Sequence, residues 1–229
     1  MREEGSIILA QSAVGADYEA MLDASFPVHK AFCEKNDVKF RSFRHVMRGF
    51  YPWHSCYNRI VILNNLLESG FRGWFIHLDA DAVIRFPDFD IRRYLGKRVD
   101  RALIACLSSV DAEPWDINDG VFFLNLGHEL GQEIVHHWYT AFAEHVSDQM
   151  LQSAAEPWKY PDGSPFPDDQ HLLQMELKRH TTLLEGLLWE DPMLMNHRGG
   201  RFIRQMLRAH GSNEQRLEWL KSLVSDISY

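Results

Sequence analysis

The chain reads as an α/β domain with a mainly parallel central sheet flanked by helices. Two observations carry that reading. Apolar runs of strand length alternate with stretches of helical spacing through the first half of the chain. The second is Trp74-Phe75-Ile76-His77-Leu78, a buried-strand pattern that ends in Asp79-Ala80-Asp81 and resumes as Ala82-Val83-Ile84. Ligands bind at the carboxyl ends of central strands in such sheets. Two carboxylates there, at spacing i, i+2, offer hard oxygen ligands to Mg²⁺ or Mn²⁺. The expectation is a metal-dependent enzyme acting on a phosphorylated substrate.

The elements follow in order. Residues 6–10 form strand one, followed by a polar loop over 11–16. Helical spacing over 18–35 makes Met21, Leu22, Phe26 and Phe32 core candidates, with Pro27 expected to break or kink the helix. Residues 38–43 alternate as a half-buried strand does. Residues 53–67 form a helix whose Ile60, Val61, Leu63, Leu66 and Leu67 make an apolar stripe, with Gly70 as its stop. After the strand at 74–78, residues 87–95 read as loop plus short helix, and 102–107 and 120–126 as buried strands. Gly127 leads into a helix over 129–145. Pro157, Pro161, Gly163, Pro165 and Pro167 make 156–167 a long loop or flap. A helix restarts over 168–177, capped by Asp168 or Asp169. A late strand over 183–189, a basic glycine turn at 198–200 and an amphipathic helix over 214–227 complete the chain. No internal period is present, so residues 1–229 are expected to form one domain.

Composition bounds the function. The 229 residues include 45% apolar and 24% charged side chains, an ordinary globular balance long enough to bury a core. The net charge of −8 argues against general binding of nucleic acid or anionic membranes, though not against a local basic pocket for a diphosphate. Cys33, Cys56 and Cys106 are odd in number and show no CxxC or zinc spacing, so they read as reduced thiols. The N-terminal stretch 1–5 lacks the apolar region of a signal peptide, and no run approaches the roughly 18 apolar residues of a spanning helix. These features lead us to expect a soluble, cytoplasmic protein without a transmembrane segment.

Several constellations have both a chemical and a bland reading. Asp79 and Asp81 could be a solvated turn or cap, but apolar residues follow them where a turn would be polar. Asn118-Asp119-Gly120 suits a positive-φ turn, or it hydrogen-bonds a hydroxylated ligand at the sheet edge. Asp168-Asp169-Gln170 suits a capped helix start, which leaves Gln170 unexplained. Asn196-His197-Arg198-Gly199-Gly200-Arg201 joins an imidazole to a basic glycine turn, able to complete a metal site and face phosphate. Arg59, on the helix before the Asp79 strand, is either a surface arginine or a phosphate or sugar contact. His136 and His137 read as structural.

The order of these segments resembles the GT-A glycosyltransferase fold, most of all the retaining galactosyl/mannosyltransferases and the glycogenin-like enzymes. The likeness runs from strand one to about residue 205. It implies a hexosyltransferase using a UDP- or GDP-sugar donor with Mn²⁺ or Mg²⁺ across the diphosphate. Residues 1–127 would then be the nucleotide-binding half, and 128–229 the acceptor-side half with the C-terminal helix. By position, Asp79 and Asp81 match the DxD pair and His197 the late histidine of the metal shell. Arg198 and Gly199 would lie near the diphosphate, Arg59 at the donor and Tyr18 at the base. Asn118 would line the sugar pocket, and Asp119, Asp169 and Gln170 would stand at the reacting centre. Asp119 departs from the small residue usual between Asn and Gly. The acceptor implied is a glycan, lipid or small molecule.

Two rival readings share the motif. In haloacid-dehalogenase-type phosphatases the first Asp of DxDx(T/V) is a nucleophile. That family carries it on its first strand, whereas about 70 residues and two expected strands precede Asp79 here. The third reading is a nucleotide-sugar-binding domain without turnover.

Overall fold

Alternation along the strands divides the interior into two apolar layers. In β1 (Ile7–Ser12), Ile8 and Ala10 face one layer while Ile7 and Leu9 face the other. In β3 (Trp74–Leu78), Phe75 joins the first layer and Trp74, Ile76 and Leu78 the second. The computed structural model describes residues 5–160 and 162–227. β2 (Lys39–Phe43), β5 (Leu103–Leu107), β6 (Ile117–Asn125) and β7 (Leu187–Trp189) complete a six-stranded sheet of order β2-β1-β3-β6-β5-β7. Only β6 runs against its neighbours, so the sheet is mainly parallel as expected. Beside it, β4 (Ala82–Ile84) pairs antiparallel with β8 (Ile203–Gln205), setting Ala82 opposite Gln205.

α1 (Ala16–Lys35), α3 (Ile91–Gly96) and α7 (Asn213–Ser225) cover one face through Phe32, Leu95 and Leu220. α2 (Asn58–Glu68), α4 (Glu129–His145) and α6 (Asp169–Arg179) cover the other through Leu63, Trp138 and Leu173. α5 (Asp148–Ser153) is a short element between the last two. This doubly covered α/β sheet buries β1, β3, β5 and β6 on both faces, which is why they read as continuous apolar runs, while the edge strand β2 stays half-exposed.

The structure departs from the expected elements at several points. α1 continues through Pro27, which lies on the solvent side, where the carbonyl that loses its partner meets water. Phe26 is exposed and packs on Phe40, and Val28, His29 and Cys33 fill the core in its place. The helix expected from 53 begins as a 3₁₀ turn, Pro52–Tyr57, before α2. Ile62, not Val61, is fully buried on it. Residues 181–186 form a 3₁₀ turn, leaving only β7 of the strand expected over 183–189. β6 starts at Ile117, so Asn118-Asp119-Gly120 is strand rather than a preceding turn. Its pairing with β5 shifts register between Ala105 and Cys106, a bulge that re-aims the side chains opposite it. Asp168, not Asp169, caps α6. Pro161 of the proline-rich loop and residues 1–4 of the polar N-terminus lie outside the described residues. No described helix is long and apolar enough to cross a membrane.

Candidate active site

β3 ends in a tight turn that presents both aspartates. The Asp79 N–H donates to Gly120 O at 2.8 Å and the Ala82 N–H to Asp79 O at 3.0 Å. Gln11 of β1 donates to Asp79 O at 3.1 Å, and buried His29 pairs with Gln11 Oε1 at 2.8 Å. The turn is therefore held from both neighbouring strands.

Each aspartate gives one oxygen to an arginine and the other to Gln205. Asp79 Oδ1 accepts from Arg59 Nη2 at 2.7 Å and lies 3.3 Å from His77 Nε2. Asp81 Oδ2 accepts from Arg216 Nη1. Gln205 Nε2 donates to Asp79 Oδ2 at 3.2 Å and Asp81 Oδ1 at 2.9 Å. Gly120 makes this crossing possible. A Cβ there would stand 2.7 Å from Gln205 Nε2 and 2.9 Å from Asp79 Oδ2.

Arg59 is the hub of a second layer. Its Nη1 donates to Asp119 O at 2.6 Å and lies 3.1 Å from Asp119 Oδ2. Its Nε lies 2.8 Å from Asp169 Oδ2, an ion-pair contact and not an aligned hydrogen bond. Gln170 Oε1 accepts the Asp119 N–H at 3.2 Å. Asn118 Oδ1 accepts from Gly120 N at 2.9 Å and Asn196 Nδ2 at 2.8 Å. Sequence-distant Arg59, Asp79, Asn118, Asp119, Asp169 and Gln170 thus meet in one network.

One guanidinium faces three carboxylates here, and their protonation equilibria spread apart. Burial pushes Asp119 well up despite Arg59, and burial likewise raises Asp169 against the same cation. Burial also pushes on Asp79, but Arg59 and the His77 contact outweigh it and hold that carboxyl below the usual range. Asp81 is pushed up to about 6 by burial and by the Asp79 charge, which together exceed the opposing pull of Arg216. Burial and the nearby Arg59 depress His77 to about 4, so its ring is neutral at pH 7.

The aspartate turn opens into a cavity of about 620 Å³. Its wall includes the segment from Ser12, which ends β1, to Tyr18 in the first turn of α1, together with Trp53, Arg59, Trp158 and Arg208. Tyr18 Oη accepts from Arg216 Nη2 at 3.2 Å. Asp119 and Asp169, each 5% exposed, stand behind Arg59 rather than on this wall.

The basic glycine turn does not join the network. Asn196 adopts φ 66°, and this left-handed step sends its own amide inward to Asn118. His197 and Arg198 are exposed, and His197 Nδ1 accepts the Gly199 N–H at 3.0 Å. Among the described residues, no side-chain contact links His197, Arg198 or Gly199 to either aspartate. The side chain that bridges the two aspartates is Gln205, because β8 pairs beside the Asp81 turn. Gln205 and Arg216 were not singled out from the sequence. Arg216 did leave a signal: it shares a helical stripe with Leu220 and Leu223, an apolar position where a charge needs a partner. The three-residue strand holding Gln205 left none.

No family model matches the sequence, and no curated protein matches it. Solved structures do. One is a glycosyltransferase involved in the glycosylation of the major capsid of PBCV-1, with TM-score 0.66 and 15% identity, covering 95% of this chain and 99% of that one. Another is the apo form of mouse xyloside xylosyltransferase 1, with TM-score 0.49 and 10% identity, over 91% of this chain and 99% of that one. This chain has a GT-A-like glycosyltransferase fold.

A divalent cation is implied by that fold, and the residues present fit one. Asp79 Oδ2 and Asp81 Oδ1, the oxygens not taken by an arginine, converge on the Gln205 amide. Gln205 Oε1 is buried without a hydrogen-bond partner. With the Gln205 amide turned over, so that Oε1 replaces Nε2 between them, two carboxylates and an amide oxygen form a hard donor set suited to Mg²⁺ or Mn²⁺.

Proposed function

We propose that this chain is a glycosyltransferase, of the hexosyl class, that moves a sugar from a UDP- or GDP-sugar to a hydroxylated acceptor with Mn²⁺ or Mg²⁺. The observation that carries this reading is the opening of the Asp79–Asp81 turn into the cavity beside Arg59 and Arg208. Its volume lies within the range of pockets that take ligands of nucleotide size. The solved glycosyltransferase of like fold supports it.

In this reading Asp79, Asp81 and Gln205 would hold the cation, which would supply positive charge to a diphosphate leaving group. Arg59 reaches the same edge and stabilises the negative charge that develops as the bond from C1 to the phosphate oxygen breaks. Asp119 and Asp169 orient the guanidinium through their contacts behind it, and Gln170 fixes the backbone of Asp119. The acceptor hydroxyl oxygen bonds to C1, and its proton passes to the departing phosphate. Engagement of both buried carboxylates on Arg59 leaves them poorly placed as a base, which favours this retaining course. Tyr18, in the first turn of α1, lines the cavity and would cover the base. Asp79 is held by Arg59 and Gln205, an arrangement suited to a ligand more than to the nucleophile of a phosphatase.

The test is incubation with Mn²⁺ and a panel of nucleotide sugars, following nucleoside diphosphate and sugar release. Turnover of at least one donor supports the reading. Phosphate release from simple monoesters, without binding of any nucleotide sugar, overturns it. Donor binding without turnover favours the non-catalytic domain instead.

A further inference from the structure

A second group of metal-ligating side chains lies apart from the cavity, where α4 packs on the C-terminal end of α6. His137 projects from α4, Glu176 from the last turns of α6, and His180 is the residue that ends α6. One nitrogen from each imidazole and one Glu176 oxygen lie within 4.8 Å of one another. His137 Nδ1 is 3.5 Å and His180 Nε2 is 3.4 Å from the same oxygen, Glu176 Oε2. Both separations exceed the 2.7–3.2 Å of ordinary N–H···O hydrogen bonds. They match the edge of a tetrahedron about a Zn²⁺ ion with ligand bonds of about 2.0–2.1 Å, an edge of about 3.3 Å.

Three further observations agree. The two imidazole rings stack at 4.0 Å with 30° between planes, so both turn a nitrogen toward the one Glu176 oxygen. Glu176 has only 7% of its side chain exposed, so its carboxyl group is held largely out of water beside a nitrogen of each ring. The imidazoles are 30% and 34% exposed, which leaves a solvent-facing position for a fourth ligand such as water. Two imidazoles and a carboxylate suit Zn²⁺ and its borderline neighbours over Mg²⁺ or Mn²⁺.

We propose that His137, Glu176 and His180 form a Zn²⁺ site that staples α4 to α6. The staple acts on the helix whose other end carries Asp169. Trp138, next to His137, donates to Asp169 O at 2.9 Å, so α6 is held to the middle of α4 at both of its own ends. The site is separate from the Asp79–Asp81 pair and does not depend on the transferase reading.

The experiment uses the untagged full chain, stripped with chelator and titrated with Zn²⁺ by calorimetry, with the melting temperature recorded in parallel. Expected are a saturable site and a rise in melting temperature with Zn²⁺ that Mg²⁺ does not reproduce. His137→Gln and His180→Gln, at half-buried positions, should each weaken that site by roughly tenfold or more. Asp81→Asn should leave it in place. Should the histidine variants fail to fold, imidazole NMR of the wild-type chain decides: the His137 and His180 ring resonances must shift together on adding one equivalent of Zn²⁺. No saturable site, a site indifferent to both histidine variants, or unmoved His137 and His180 resonances overturns the proposal.

Discussion

Arg216 of α7 closes on Asp81 at the turn after β3, with both side chains almost fully buried although they stand 135 positions apart in the chain. The C-terminal helix is therefore part of the site's electrostatics. Removing one partner of a buried pair strands the other charge, at a cost of about 3–5 kcal/mol. Arg216→Met should lower stability in urea by that order, and Asp81→Asn in the same chain should restore part of it. A loss that is strictly additive in the double variant would show that the pair is not coupled.

Gly120 has a different role. An added Cβ would meet the flexible end of Gln205, not backbone, so Gly120→Ala should fold. Gln205 would have to leave the two aspartates. A displacement of about 1 Å at such a site costs roughly 100-fold in turnover. We expect donor turnover to fall by that order with a nearly unchanged melting temperature. A collapse in melting temperature would contradict the steric reading.

Buried His29 gives a pH signature. Burial depresses it to about 3 from the ordinary 6.5, while its Nδ1 faces Gln11 Oε1 and its Nε2 accepts the Ile84 N–H at 3.2 Å. Above pH 6.5 both folded and unfolded chains hold a neutral ring, and its contribution is complete. As pH falls from 6.5 toward 3, the unfolded chain takes up a proton that the folded chain refuses. Stability then drops by about 1.4 kcal/mol per pH unit from this ring alone. His29→Gln should flatten the pH dependence of the urea midpoint by about one proton between pH 6 and 4. An unchanged slope would place the ring in a solvated environment.

The sequence displayed the frame of the site better than its closure. The Asp79 strand, the Asp168 cap and the segments bearing Arg59, Asn118 and Gln170 all stood at recognisable element ends, and the fold gathers them. The apolar runs also told of a sheet covered on both faces. His197 is exposed and apart from the aspartates, a placement the sequence does not display, because the left-handed Asn196 before it is set by a tertiary partner, Asn118. Gln205 was invisible because β8 is three residues long and owes its place to pairing with β4. Asn118-Asp119-Gly120 has turn composition, but Asn118 pairs with Cys106 of β5 and Gly120 O accepts the Asp79 N–H, so the segment runs as the irregular, bulged start of β6.

The central claim is that the Asp79–Asp81 turn and its cavity bind a nucleotide-sugar donor. Calorimetric titration of UDP, then GDP, in Mn²⁺ tests it on the wild-type chain and on Asp79→Asn. The account predicts saturable one-to-one binding of at least one nucleotide, weakened by about tenfold or more in the variant or on chelating the metal. Equal affinity in the wild type and the variant, or binding of neither nucleotide, would contradict it.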